Sequence, residues 1–201
     1  MGLETRQSSG TYLNIMFGKL VQKVNANTQG AIERENKKGN TVYELYHDKL
    51  TGIIADAKIE ESEYGARMVL TVNDNGETFF VQFNVDSPNG RSFLFKMNNM
   101  DFSTKITIAP YSFEDKDTER TVTGISFYQN DDKVMNTWTK DKPGKLPAME
   151  KTTFKGKEVW DDTKRMKFLA KEFSKFDFST PELVDADEGG SEEVAEDDLP
   201  F

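Results

Sequence analysis

The chain has 201 residues, with 26 Lys and Arg against 35 Asp and Glu, a formal charge of -9 and no cysteine. That length gives room for one domain with a substantial core, and the absence of Cys excludes disulfides and thiol chemistry, in keeping with a reducing compartment. No apolar leader follows Met1-Gly2-Leu3-Glu4-Thr5-Arg6, the Ser or Thr of a myristoylation signal is missing, and no apolar run is long enough to cross a bilayer, which predicts a cytoplasmic protein without a membrane partner.

Beta signals open the chain. Tyr12 to Phe17, Val42 to Tyr46, Thr51 to Ile59, Ala66 to Val72 and Thr78 to Val85 are rich in branched and aromatic residues and separated by turn chemistry. Asn73-Asp74-Asn75-Gly76 predicts a hairpin between the last two. Ser87-Pro88-Asn89-Gly90 then leads into Arg91 to Met100, where Phe93, Leu94, Met97 and Met100 recur at helical spacing. Strands resume at Lys105 to Ala109 and Thr121 to Tyr128, and Gln129-Asn130-Asp131-Asp132 joins the latter to a strand over Lys133 to Thr139.

Residues 140 to 157 hold six lysines against Asp141 and Glu150, interrupted by Pro143-Gly144 and Pro147, and read as a basic loop. Asp161 or Asp162 caps a helix through about Phe176, with Met166, Leu169, Ala170 and Phe173 as its apolar stripe. Strands, hairpin, short helix, hairpin and closing helix predict a mainly β protein: an oligonucleotide-binding (OB-fold-like) Greek-key barrel over residues 1–180.

Residues 181–201 differ in kind. They contain nine acidic and no basic residues, so the whole formal charge resides there and residues 1–180 balance at 26 of each sign. With Gly189-Gly190-Ser191 at its middle, this acidic tail buries too little surface to offset the entropy of ordering and is expected to be disordered. Asp185, Asp187, Gly190 and Glu196 fall at calcium-loop positions, but Gly189 brings no side-chain ligand and Pro181 precedes where a helix is required, so no metal is expected. The end, Asp197-Asp198-Leu199-Pro200-Phe201, offers an aromatic ring and a Pro-restricted backbone and suits docking into a small basic, apolar pocket.

That end resembles the tip of bacterial and phage single-stranded DNA-binding proteins, with Leu199 where those carry Ile. The segments Tyr12-Leu13-Asn14-Ile15 to Gly18-Lys19-Leu20-Val21, Pro110-Tyr111-Ser112-Phe113 and Phe154 to Asp162 are similar to segments of phage members of that family. The resemblance implies a protein that sequesters single-stranded DNA, recruits a replication or recombination protein such as a polymerase, primase or helicase through Asp197, Asp198, Leu199, Pro200 and Phe201, and lets this tip compete with DNA for its own groove. A homo-oligomer is left open.

Single-strand binding needs rings on which bases stack and cations along the phosphate path. Alternation sets Phe79, Val81, Phe83 and Val85 on one face and Phe80 on the other, making Phe80 a candidate platform; on the neighbouring strand it sends Arg67 out opposite Met68, Leu70 and Val72. Lys105 points outward opposite Ile106 and Ile108, as do Tyr111 and Phe113 if alternation continues past Pro110, pairing Tyr111 and Lys105 as stacking ring and phosphate contact. Tyr128 and Trp138 complete the rings; Lys133, Lys140, Lys142 and Lys145 supply the charge.

Catalysis has little to stand on. His47 is the only histidine, no phosphate-cradling glycine loop or metal-binding helix motif occurs, and Glu60, Glu61, Glu63, Asp115 and Asp117 lie in loop-like stretches. The expectation is a binding protein without an enzymatic role or cofactor. A protein-interaction adaptor or DNA-mimicking inhibitor that binds no nucleic acid is the alternative from a different class, and a metal-dependent nuclease is the second.

Overall fold

The computed structural model describes residues 10–61 and 65–178. The tip residues Asp197 to Phe201, and the rest of the acidic tail, lie outside them.

Among the described residues twelve strands and two α-helices follow in order: β1 (Thr11–Met16), β2 (Lys19–Val24), β3 (Ile32–Glu35), β4 (Thr41–His47), β5 (Leu50–Glu60), β6 (Arg67–Asp74), β7 (Glu77–Asn84), α1 (Pro88–Leu94), β8 (Ile106–Asp115), β9 (Arg120–Gln129), β10 (Asp132–Lys133), β11 (Glu150–Phe154), β12 (Lys157–Asp161) and α2 (Thr163–Phe173). Four hairpins share one device, a two-residue turn with both residues at positive φ: Phe17-Gly18, Asn75-Gly76, Asn130-Asp131 and Lys155-Gly156. Such turns match the right-handed twist of the strands they join.

Ten strands form one sheet in the order β10-β9-β8-β5-β6-β7-β1-β2-β4-β3. Every pairing is antiparallel except β1 with β7. β5 carries the sheet round: Leu50 to Gly52 pair with β8, Ile53 to Glu60 pair with β6, and a bulge separates Ile54 from Asp56. Bulges bend a strand and increase its twist.

The closed Greek-key barrel expected from the sequence does not form. β3 and β10 each have one partner and leave two sheet edges, where closure requires a ladder between them. Curvature instead brings the β1–β2 turn against β8, so near that a Cβ on Gly18 would fall 2.4 Å from the Ser112 nitrogen. That contact is packing of one turn on a strand, with no ladder across it.

The core lies on one side of this curved sheet. Leu13, Leu70, Val72, Val81, Ile106, Ile108, Ile125 and Phe127 point into it, and α1 plugs it with Phe93, whose ring centroid lies 6.4 Å from Phe83, 5.9 Å from Phe127 and 6.2 Å from Phe173. α1 starts earlier than helical periodicity alone predicts, because the Ser87 side chain accepts from the Gly90 nitrogen at 3.2 Å and Pro88 stands at the first turn. Gly90 is required by proximity: a Cβ there would lie 2.1 Å from the Val85 carbonyl oxygen. Met97 and Met100 are buried beyond α1 around a 3-10 turn. α2 packs Leu169 and Phe173 inward and ties to α1 through Arg91–Asp162 at 2.9 Å; Asp161 leads into it by accepting from the Thr163 nitrogen at 2.9 Å.

Of the strand expected over Lys133 to Thr139 only Lys133, the second residue of β10, is strand, since Val134 and Trp138 turn inward to the core. The basic loop expected over residues 140 to 157 ends in a separate hairpin, β11–β12, all of whose strand residues are exposed.

Candidate nucleic-acid interface

The parallel β1–β7 pairing places Tyr12 directly beside Phe80 on the sheet face turned away from the core. Their ring centroids lie 4.8 Å apart at 30°, and Tyr12 is 50% exposed. Gly10 makes room for this pair, since a Cβ there would meet the Phe80 ring at 2.4 Å. Cross-strand partners extend the same face: Thr71 sits opposite Phe80, Val69 opposite Gln82 and Lys58 opposite Val69. Tyr12, Phe80, Gln82, Val69, Thr71 and Lys58 line a shallow groove of about 340 Å³, and Glu60 closes its rim. On the other flank Tyr12, Asn14, Gln22 and Lys23 line a second concavity.

Three cations lie along this face in different states. Arg67 is half-buried and its Nη1 donates to the Gln82 side-chain oxygen at 3.4 Å, a long bond that leaves most of its donors for another acceptor. Lys58 pairs with Asp56 at 2.6 Å, and that carboxylate raises its pKa above the ordinary lysine value. Lys23 borders the second concavity. Rings with cations beside them are what a single strand uses for base stacking and phosphate neutralisation.

Farther along the same face the chemistry closes on itself. Glu44, 1% exposed, accepts from Arg34 at 2.9 and 2.7 Å and from the Tyr46 hydroxyl at 2.8 Å. The Arg34 guanidinium holds the Glu44 carboxyl below the usual carboxylate range, and Glu44 in turn raises both Arg34 and Tyr46.

The other sequence-predicted residues are dispersed. Lys105 pairs with Asp74 at 2.7 Å. Tyr111 lies six residues farther along an extended strand, about 20 Å away, so the two do not form the expected stacking and phosphate pair. Tyr111 instead stacks on Phe113 at 5.8 Å and 28°, over Gly124, whose missing side chain leaves space for the Tyr111 hydroxyl. Tyr128 and Lys133 do meet, as cross-strand neighbours of β9 and β10. Next to them Lys96 is pushed below the ordinary lysine value by burial and then by Lys133.

Trp138 is sealed at 9% exposure, edge-on to Phe95 at 6.4 Å and Phe168 at 5.6 Å, and offers no free stacking face. Its burial follows from the chain turning inward after β10. Lys140 and Lys142 are exposed on the turn after it, where Thr139 Oγ1 accepts from the Lys142 nitrogen at 3.1 Å.

Sequence reasoning singled out Phe80 and Arg67 and missed Tyr12, Lys58 and Lys23. Tyr12 alternates with buried Leu13, a signal available in the sequence, but its position beside Phe80 comes from a parallel pairing between strands 60-odd residues apart, which no local pattern encodes.

No family model, curated protein or solved structure matches the chain. Among the described residues, no helix is long and apolar enough to cross a membrane, and no group of three or more His, Cys, Asp or Glu is placed to hold a metal ion.

Proposed function

We propose that the protein binds single-stranded DNA, protects it during replication or recombination of a phage or its host, and recruits partner proteins through Asp197-Asp198-Leu199-Pro200-Phe201. The observation that carries the reading is the Tyr12–Phe80 ring pair on an outer sheet face that also carries Arg67 and Lys23. In this reading the curved, open sheet serves as an oligonucleotide-binding surface, bases stack on the rings and the phosphates follow the cations. No bond is made or broken, so no substrate turns over.

The test is fluorescence anisotropy of labelled oligo-dT titrated with the full chain at two salt concentrations. Binding that weakens with salt and prefers single strands to duplex is expected. Removing residues 181–201, which carry nine negative charges, should tighten binding by removing an internal polyanionic competitor. Absence of binding at low salt overturns the reading in favour of a protein-interaction adaptor or DNA mimic acting through its acidic tail; magnesium-dependent loss of the oligonucleotide, stopped by chelator, overturns it in favour of a nuclease.

A further inference from the structure

The β11–β12 hairpin contributes nothing to the core: each of its ten strand residues is exposed on both faces. A two-stranded hairpin by itself is marginally stable in water, and this one holds large rings in solvent, Phe154 at 63% and Trp160 at 60% exposure. Its register puts the two on opposite faces, Trp160 across from Lys151 and Phe154 across from Lys157. Each ring has an ammonium over it, Lys151 at 5.5 Å from Trp160 and Lys155 at 5.4 Å from Phe154.

The turn is the most basic point. Lys155 and Gly156 both adopt positive φ, which projects Phe154-Lys155-Gly156-Lys157 as the end of the arm. Neither Lys155 nor Lys157 is tied into an ion pair with a described residue, whereas the root of the arm is anchored by Lys164–Glu150 at 2.5 Å and by Asp161 leading into α2. A solvated lysine turn has no use for large rings on both sides of it, and rings alone would be an aggregation hazard. Rings and free cations together suit a polyanion with flat apolar groups. A second copy fits less well, because two such tips would bring their lysines together and each face offers only one ring.

We infer that the β11–β12 arm is a second contact for single-stranded nucleic acid: a strand passes over the Lys155–Lys157 tip and stacks bases on Trp160 and Phe154. This rests on the single-strand reading of the protein and adds a site remote in sequence from Tyr12 and Phe80.

Trp160 is its own reporter, since the other tryptophan, Trp138, is sealed. Oligo-dT should quench the emission of the full chain, and Trp160→Phe should remove most of that quench while labelled oligo-dT still binds by anisotropy. The double variant Phe154→Ala, Trp160→Ala should bind at least about tenfold more weakly, with circular dichroism unchanged because neither ring supports the core. Labelled oligo-dT that binds the full chain without quenching it, or binds the double variant unchanged, overturns the arm site and leaves the sheet-face reading standing; no binding at all overturns both. A sedimentation shift from self-association that the double variant abolishes, with DNA affinity unchanged, assigns the arm to contact between copies instead.

Discussion

Two arginines on one sheet face have opposite surroundings. At the β3–β4 end Arg34 spends its guanidinium on Glu44, which Tyr46 also satisfies, and the group closes into a neutral, sealed unit. At the β6–β7 centre Arg67 has one long bond to Gln82, which lines the groove that also holds the Tyr12 and Phe80 rings. The first arrangement fixes an edge strand, and the second is available to a ligand. A basic residue marks a binding surface only after its local partners are subtracted, which is why a domain neutral on average can still present a local cationic path.

Both regions hang from one core, and the largest expected effect comes from removing it. Phe93→Ala deletes a fully buried ring shared by β7, β9 and α2 and should cost about 3 to 5 kcal/mol in urea unfolding. If the sealed edge and the open centre are truly parts of one domain, a single transition with both lost together is observed; two separated transitions would break the comparison.

Next comes the sealed edge itself. Glu44→Ala leaves Arg34 and Tyr46 without their acceptor, and because Arg34 retains 28% exposure and rehydrates in part, the cost should be about 2 kcal/mol. The sign of its pH dependence follows from the lowered Glu44 pKa: the contribution is present above the ordinary carboxylate value of 4.5 and is lost as pH falls through the folded value. Stability of the wild type and of Glu44→Gln should therefore differ at neutral pH and converge in acid. Oligo-dT affinity should not change in either variant, and a large loss would show that this edge belongs to the interface after all.

At the open centre the expectation reverses. Tyr12→Ala should weaken oligo-dT binding about tenfold, within the 1 to 3 kcal/mol that a stacked base contributes, and leave unfolding nearly unchanged because half of the ring is already in water. Phe80→Ala should show the same loss of affinity with a larger loss of stability, since its ring fills the space over Gly10.

Local chemistry made some of this legible and long-range pairing hid the rest. Asn75-Gly76 and Asn130-Asp131 announce their hairpins because Asn, Asp and Gly tolerate positive φ, whereas Phe17-Gly18 and Lys155-Gly156 make the same turn with a residue that gives no such signal. The sequence therefore gives no hairpin signal at the β11–β12 turn. Alternation correctly turned Phe80 and Arg67 away from the core, while the partners of each cation, Asp74 for Lys105 and Gln82 for Arg67, depend on register between strands and are invisible in a single segment. The same holds for barrel closure, which the order of elements suggests and the unpaired edges of β3 and β10 deny.

The smallest effects discriminate most finely, because they compare two cations that alternation treats alike. Lys105 is held by Asp74 at 2.7 Å, and an exposed pair of this kind contributes between nothing and about 1 kcal/mol. A phosphate that displaced Asp74 would leave a carboxylate beside the DNA, so the exchange gains little. Lys105→Ala should leave both oligo-dT affinity and its salt dependence within error, with stability within about 0.5 kcal/mol. Arg67→Ala breaks no ion pair and removes a cation bonded only to Gln82 at the groove, so it should lower the slope of log affinity against log salt by about 1. Equal slopes for the two variants would mean that the pairing in the free protein does not decide which cations meet phosphate, and the division of this face into spent and available charge would fall.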